Sequence, residues 1–134
     1  MDMTVTFGGG LKVNAHFKDF TVCTDQSKNV GGEETAPEPF AYFLSSLATC
    51  AGFFVVRFCQ TRNISMEGIQ LRQSNDWNKQ KKLVENIHLE IELPASFPEK
   101  YASALVRATN ECSVKKALKN PPEISVTTKV VDAL

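Results

Sequence analysis

The residues of this 134-residue chain best suited to chemistry are its four cysteines, Cys23, Cys50, Cys59 and Cys112. A thiolate is a strong nucleophile, and its availability depends on how far its surroundings lower the thiol pKa. Two cysteines that meet in space can also interconvert between a dithiol and a disulfide. The chain has only two histidines and neither a CxxC nor an HxxxH spacing, so we expect no metal ion and no other cofactor.

Cys50 lies in an apolar stretch without charge, from Pro39 to Val56, which predicts a long helix that continues to about Asn63. A cysteine inside such a helix is most often an inert hydrophobic side chain whose pKa is raised by burial. Cys59 follows nine positions later and so faces away from Cys50. We expect Cys59, and Cys23 on a strand, to serve packing. By itself the pattern around Cys50 also favours packing.

Cys112 has a different setting, because it stands at a helix break and precedes Ser113 and two lysines, Lys115 and Lys116. A thiol at a helix N-terminus near lysines is in the setting that favours the thiolate. Cys50 on a core helix and Cys112 at a helix start could meet in space, although their spacing does not require it.

The helix that carries Cys50 is apolar all round its axis, which indicates burial on every side or insertion in a membrane. Its length just reaches the roughly 18 residues of a spanning helix. Polar residues such as Ser46 and Thr49 dilute it, however, and charged, strand-like segments surround it. We therefore expect a core helix rather than a membrane span. A chain of this size cannot cover such a helix alone, which predicts a homodimer.

The remaining elements predict an α+β fold with the order βββ-α-ββ-α-α-β. A polar loop from Asp25 to Glu38 precedes the central helix and is long enough to indicate a functional edge. His16 alternates outward on its strand and is expected to be solvated. The predicted strands are Met3–Phe7, Leu11–Phe17, Phe20–Thr24, Ile69–Gln73, Leu83–Leu93 and Ile124–Val131. A turn is predicted at Asn75–Lys82. After the central helix, one helix is predicted from a cap near Ser96 to about Asn110 and another at Val114–Leu118.

Composition excludes several classes of function. Fifteen basic and fifteen acidic residues cancel, so the chain lacks the charge expected of a nucleic-acid binder. Hydrophobic residues at 43% and charged residues at 22% are typical of a soluble globular domain. The opening MDMTVTF has no basic and apolar segments of a signal peptide, which predicts a cytoplasmic protein with reduced thiols.

Two segments resemble the OsmC/Ohr family of thiol-dependent hydroperoxide reductases. The segment PEPFAYFLSSLATC, residues 37–50, is similar to the family's central helix, and ECSVKKAL, residues 111–118, is similar to its second cysteine element. The two cysteines stand sixty-two positions apart, within the family's usual range. The resemblance implies one OsmC-like domain over residues 1–134, with a long central helix wrapped by antiparallel sheets in an intertwined dimer.

The same resemblance implies a two-cysteine reduction of organic hydroperoxides. Cys50 would be the peroxidatic thiol, which is oxidised to a sulfenic acid, and Cys112 the resolving thiol, which condenses with it to a disulfide. An external dithiol would then restore the pair. Ser46, Phe53 and Phe54 neighbour Cys50 at helical spacing and could line an apolar substrate pocket.

The chain departs from the family at the groups that activate the thiol. The first fifty-six residues contain no arginine, and Phe40 and Ala41 stand where the family carries its glutamate. Glu38 is the nearest carboxylate that could replace that glutamate, so we include it in the site. A lysine holds a thiolate less well than a bidentate arginine. The departures predict a divergent OsmC-like branch with weakened peroxidase activity, whose activating cation would be Lys12, Lys18, Lys28, a later basic residue or one from the partner subunit.

Two other functions remain open. The first is a non-catalytic OsmC-like domain that binds an apolar small molecule and whose thiols are vestigial. The second is a hot-dog thioesterase, which also wraps a sheet around a long apolar helix. That fold has no second helix carrying a cysteine, and the central helix here lacks an obvious carboxylate nucleophile or base.

Overall fold

The structure, a computed structural model, describes residues 1–132. The predicted α+β class is confirmed, and the element order follows the prediction as far as the last helix. Single 3-10 turns at Lys28–Val30 and Glu99–Tyr101 accompany the main elements. These are β1 (Thr4–Phe7), β2 (Val13–Phe17), β3 (Phe20–Thr24), α1 (Pro39–Thr61), β4 (Gln70–Asn78), β5 (Leu83–Glu92), α2 (Ala102–Thr109) and α3 (Ser113–Lys119).

The described chain divides into two compact units. The first comprises Met1–Thr49 with Arg72–Leu89, and the second comprises Cys50–Leu71 with the described residues from 90 to 132. Helix α1 contributes its first residues to the first unit and the rest to the second. The prediction of a single domain stays a prediction.

The first unit contains an antiparallel sheet of order β1-β2-β3. In this sheet His16 on β2 lies opposite Thr4 of β1 and Thr21 of β3. Its ring nitrogens hydrogen-bond with the hydroxyls of Thr6 at 2.8 Å and Thr21 at 3.1 Å, which links all three strands. The side chain of His16 is partly exposed, in agreement with its predicted outward position, and it is also a cross-strand partner.

The loop before α1 is organised around the buried carboxylate of Asp25. The backbone N–H of Gln26 donates to one carboxylate oxygen at 2.8 Å. Thr35 donates to the other oxygen from its N–H at 3.1 Å and from its hydroxyl at 2.6 Å. A Cβ on Gly32 would collide with the Gln26 carbonyl, so only glycine fits there. These contacts fold the long loop back on itself just before α1 begins.

Helix α1 buries one stripe rather than its whole circumference. Phe53 remains 55% exposed and Phe40 48% exposed, so the expectation of burial on every side was wrong for a single chain. By length and hydropathy alone α1 meets the criteria for a membrane span. Only 17% of its most apolar window is buried within the chain, so most of this window lacks a packing partner there. The buried residues of α1 are Leu47, Ala51, Val55, Phe58 and Cys59.

The second unit has its own hydrophobic core. The second half of α1 packs in this unit with Leu105 of α2 and with Phe97, which precedes it in the chain. Cys59 is fully buried in this core, and burial raises the pKa of its thiol, which confirms its packing role. Cys23 in the first unit is exposed on β3, so its predicted packing role was wrong.

Two strand predictions differ from the structure. Strand β4 extends to Asn78, because the side chain of Asn78 closes the turn by accepting the N–H groups of Gln80 and Lys81 at 2.9 and 2.8 Å. The predicted strand Ile124–Val131 is absent from the described residues, where the segment is exposed and forms no ladder. Strands persist only where a neighbouring strand pairs their backbone groups.

Candidate active site

The candidate active site begins with the way the chain leaves α2. Cys112 adopts φ −53° and ψ 122°, which breaks the helix, and its carbonyl accepts the N–H of Lys116 at 3.1 Å. Cys112 is thus the N-cap residue of α3. A salt bridge of 2.7 Å between Glu111 and Lys116 spans the break and fixes the geometry of this corner.

Cys50 of α1 meets this corner within the second unit. Its Sγ lies 3.7 Å from the hydroxyl oxygen of Ser113. The side chain of Cys112 also hydrogen-bonds with Cys50, and the backbone N–H groups of Ser113 and Val114 donate to it. The half-buried Cys50 is therefore surrounded by hydrogen-bond donors, whereas Cys112 is fully buried. The structure brings together the two cysteines to which the resemblance assigns the chemistry.

These contacts separate the pKa values of the two thiols. Burial is the largest influence on Cys50 and raises its pKa, but the donors from Cys112, Val114 and Ser113 together outweigh it and leave the pKa below its ordinary value. Burial raises the pKa of Cys112, and its hydrogen bond to Cys50 raises it further. The corner therefore makes Cys50 the more readily ionised thiol of the pair.

This assignment reverses one expectation from the residues. The position of Cys112 beside a helix start with lysines indicated that Cys112 itself would be the thiolate. The first N–H groups of α3 serve both sulfurs, those of Ser113 and Val114 at Cys50 and those of Val114 and Lys115 at Cys112. At Cys112, however, burial and the hydrogen bond to Cys50 outweigh these donors and raise the pKa. A helix start stabilises the anion that faces it, which need not belong to the capping residue.

The groups that lower the pKa of Cys50 are hydrogen-bond donors, whereas the sequence predicted a cation. Two of the three lysines suggested for that role are engaged by carboxylates in the first unit. Lys12 pairs with Glu33 at 2.7 Å, and Lys28 lies 4.0 Å from Glu34.

The residues expected to line a substrate pocket are distributed over both units. In the second unit, Phe54 lines a cleft of about 400 Å³ and packs edge to face with the exposed Phe53 at 5.1 Å between ring centroids. In the first unit, Ser46 donates to the Phe43 carbonyl at 2.6 Å within α1. Glu38 accepts the backbone N–H of Ser27 at 3.1 Å, so the structure shows it engaged in the loop.

Sequence reasoning missed two sets of functional side chains. Ser113 is the first residue of α3, and its hydroxyl lies 3.7 Å from the Cys50 sulfur, a contact that its place directly after Cys112 could have indicated. The arginines Arg57, Arg62 and Arg107 line the same cleft as Phe54, and nothing in their separate sequence positions indicated this. Within residues 1–132, no three histidine, cysteine or acidic side chains cluster as metal ligands would.

Comparisons with known proteins agree with this fold. The family model described as OsmC-like protein matches residues 31–127, which is more than half of the chain. No curated protein matches the sequence well enough to count as a relative.

Several solved structures share the fold at low sequence identity. A Psychrobacter arcticus protein named for osmotic stress and detoxification is 20% identical with a TM-score of 0.73, covering 86% of this chain and 85% of that one. An OsmC-like protein of Mycoplasma pneumoniae is 16% identical with a TM-score of 0.70, covering 90% and 87%. The organic hydroperoxide resistance protein OhrB of Bacillus subtilis is 19% identical with a TM-score of 0.56, covering 90% and 93%. Because the family model matches more than half of the chain, this chain belongs to the OsmC-like protein family.

Proposed function

We propose that this protein reduces organic hydroperoxides with Cys50 as the attacking thiol and Cys112 as the resolving thiol. The observation that carries the proposal is the donor set around Cys50, which lowers the pKa of one thiol of the pair while that of its neighbour is raised. Such a pair has one thiol that ionises more readily than a free cysteine and a second thiol hydrogen-bonded to it.

The reaction follows from these two states. The Cys50 thiolate attacks the terminal oxygen of the hydroperoxide, the O–O bond breaks, and the alkoxide takes a proton from solvent and leaves as an alcohol. Cys50 is now a sulfenic acid. The Cys112 sulfur attacks the Cys50 sulfur, a disulfide forms, and the hydroxyl leaves with the thiol proton as water. Two electrons from an external dithiol then reduce the disulfide by thiol–disulfide exchange.

Family membership supports a peroxide-related function. Among the structures with this fold are proteins named for resistance to organic hydroperoxides, from Bacillus subtilis and Legionella pneumophila. At 19% identity they support the fold, and the residues around Cys50 carry the argument for the chemistry. We place the activity in the cytoplasm, where dithiol reductants are available to recycle the pair.

The proposal is tested by the consumption of cumene hydroperoxide with dithiothreitol as the reductant. Cys50→Ser should abolish turnover, whereas Cys112→Ser should permit a single oxidation of Cys50 without disulfide recycling. The exposed Cys23 on β3 provides the matched control, and Cys23→Ser should turn over at the wild-type rate. Equal consumption by wild type and Cys50→Ser would show that the protein is not a thiol peroxidase.

A second candidate function is the binding of an apolar small molecule without catalysis. A cleft of about 500 Å³ in the first unit favours it, since four of its lining residues are apolar, Phe40, Trp77, Leu83 and Val84, beside the charged Glu38 and Lys82. Titration of thiols after limiting peroxide separates the two functions. The peroxidase loses two thiols for each peroxide that it reduces, whereas a simple binding protein loses none.

We also propose that the protein is a homodimer. Much of the apolar surface of α1 is uncovered in one chain, where Phe53 is 55% exposed. The segment after α3 is also apolar and exposed, with Ile124 at 86% and Val130 at 98%. A second copy would cover both surfaces and supply the missing strand neighbour.

A further inference from the structure

A cleft lies between α1 and α2 in the second unit, and we call it the arginine cleft. It has a volume of about 400 Å³, within the range of small-molecule sites. Aromatic side chains and small alanines form its apolar part, and its polar part consists of three guanidinium groups together with Thr61 and Glu111. The lining residues that matter here are Phe54, Phe58, Ala104, Arg57, Arg62 and Arg107.

Helical spacing explains why these residues share one cleft. On α1 they recur at positions 54, 57, 58, 61 and 62, which is one face of a helix. On α2 they recur at 104, 107, 108 and 111 with the same period. Ala104 and Ala108 are too small to fill the space between the two faces, so the cleft remains open.

The charges of the cleft are not balanced within the chain. Arg62 is held over the Phe58 ring at 3.6 Å and donates to the Phe58 carbonyl at 3.4 Å. Within residues 1–132, the guanidinium groups of Arg57 and Arg107 form no ion pair. Glu111 also borders the cleft, but its carboxylate is paired with Lys116. Like charges gathered in one cleft repel each other, and a bound anion would relieve that repulsion.

We propose that the arginine cleft binds a small organic anion that has one carboxylate and an aromatic or aliphatic body. A guanidinium group presents a planar fork of donors that matches a carboxylate. The rings of Phe54 and Phe58 provide the apolar wall against which the body packs. Neither an inorganic anion nor a neutral apolar molecule would use both halves of the cleft.

Because the cleft lies near Cys50, its ligand belongs to one of two classes of molecule. Phe54 follows Cys50 by one helical turn, about 6 Å along the axis of α1. The anion is therefore either part of a molecule that reacts at Cys50 or a separate ligand bound beside the thiols. Binding itself does not depend on the proposed peroxidase activity, because no thiol takes part in it.

Isothermal titration calorimetry of the full chain with 4-phenylbutyrate tests the proposal. 4-Phenylbutyrate should bind. The neutral 4-phenylbutanamide lacks the carboxylate, and inorganic phosphate lacks the apolar body, so each should bind about tenfold more weakly. Arg57→Gln and Arg107→Gln should each weaken 4-phenylbutyrate about tenfold. Lys119→Gln, on α3 outside the cleft, is the matched control and should bind as wild type. The proposal would be overturned if the protein bound the amide or phosphate as tightly as 4-phenylbutyrate. It would also be overturned if both arginine variants bound 4-phenylbutyrate as tightly as wild type.

Two further measurements separate this site from the peroxidase and identify the source of its ligand. Cys50→Ser should bind 4-phenylbutyrate as wild type does. With that result, failure of the peroxidase proposal would leave this proposal intact. Loss of binding in Cys50→Ser would show that the cleft is not independent of the thiols. The alkylation rates of Cys50 by iodoacetate and by iodoacetamide should then be compared in wild type and Arg57→Gln. A fall in the iodoacetate rate alone supports an anionic substrate at Cys50. Unchanged rates, with weakened 4-phenylbutyrate binding, support a separate ligand.

Discussion

The pKa of Cys50 is lowered by donors that come from one short corner of the chain. Cys112, Ser113 and Val114 are consecutive, and each contributes a hydrogen bond to Cys50. Such donors favour the thiolate without a cation in contact with the sulfur. The consequence is that small changes in this tripeptide should alter the reactivity of Cys50 while they leave the fold intact.

Ser113→Ala removes the hydroxyl that lies 3.7 Å from the Cys50 sulfur. The pKa of Cys50 should rise, and peroxide consumption at neutral pH should slow about tenfold, since a hydrogen bond to a charged group is lost. Stopped-flow kinetics with cumene hydroperoxide measures the rate. Ser103→Ala changes an exposed serine of α2 in the same way and should react as wild type. A Ser113→Ala variant as fast as wild type would contradict a role for the hydroxyl.

Replacement of Cys112 separates its role as a donor from its role as a resolving thiol. Cys112→Ser keeps a donor to Cys50, whereas Cys112→Ala does not. Because that donor lowers the pKa of Cys50, the midpoint of the pH profile for the first oxidation should lie at higher pH in Cys112→Ala than in Cys112→Ser. Trapping of the sulfenic acid with dimedone across a pH series measures both profiles. Identical midpoints would show that Cys112 does not stabilise the thiolate.

At the scale of elements, the loop before α1 depends on one buried carboxylate. Hydrogen bonds from the Thr35 side chain and backbone, and from the Gln26 backbone, lower the pKa of Asp25 from 3.8 to about 2. The folded pKa lies below the unfolded one, so the stabilisation is complete above pH 3.8 and is lost as the pH falls through about 2. The loop should therefore be the acid-sensitive element of the first unit.

Asp25→Asn tests this dependence, because asparagine keeps the size of the side chain and removes its charge. The free energy of unfolding in urea should be lower than that of wild type at pH 7, and the difference should shrink as the pH falls from about 4 to about 2. Asp19→Asn, in the exposed turn between β2 and β3, is the control and should unfold as wild type. A constant difference between Asp25→Asn and wild type at all pH values would exclude ionisation of Asp25 as the cause.

The proposed homodimer rests on the apolar surface that α1 exposes in a single chain. Phe53 is 55% exposed on a helix that otherwise supplies the core of the second unit. A covered Phe53 would contribute apolar burial to the dimer. The oligomeric state is therefore the property that most directly tests the proposed assembly.

Phe53→Glu should disrupt the dimer, because it would bury an unpaired carboxylate in an apolar contact. We expect the dissociation constant to rise about a hundredfold or more. Sedimentation velocity at micromolar concentration measures it, with wild type sedimenting as a dimer. Val30→Glu, in the exposed 3-10 turn of the loop, is the control and should stay dimeric. A wild-type chain that sediments as a stable folded monomer would contradict the proposal.

Local sequence patterns were sufficient to predict several of the elements. Alternation set β2 and β3, the uncharged run set α1, and Pro39 marked its first residue. The break at Cys112 was also readable, since it separates two helical patterns. The family resemblance was carried by these same local segments, and the family model spans both of them.

Only the tertiary structure decided which groups meet. The N–H groups at the start of α3 serve Cys50 of another helix, and three arginines distant in sequence line one cleft. The strand predicted at 124–131 is absent from the described residues, because a strand forms only beside a neighbouring strand, which its own sequence does not supply. Residue type and period fix what a segment can form, whereas partners, pKa values and clefts depend on contacts between segments far apart in the chain.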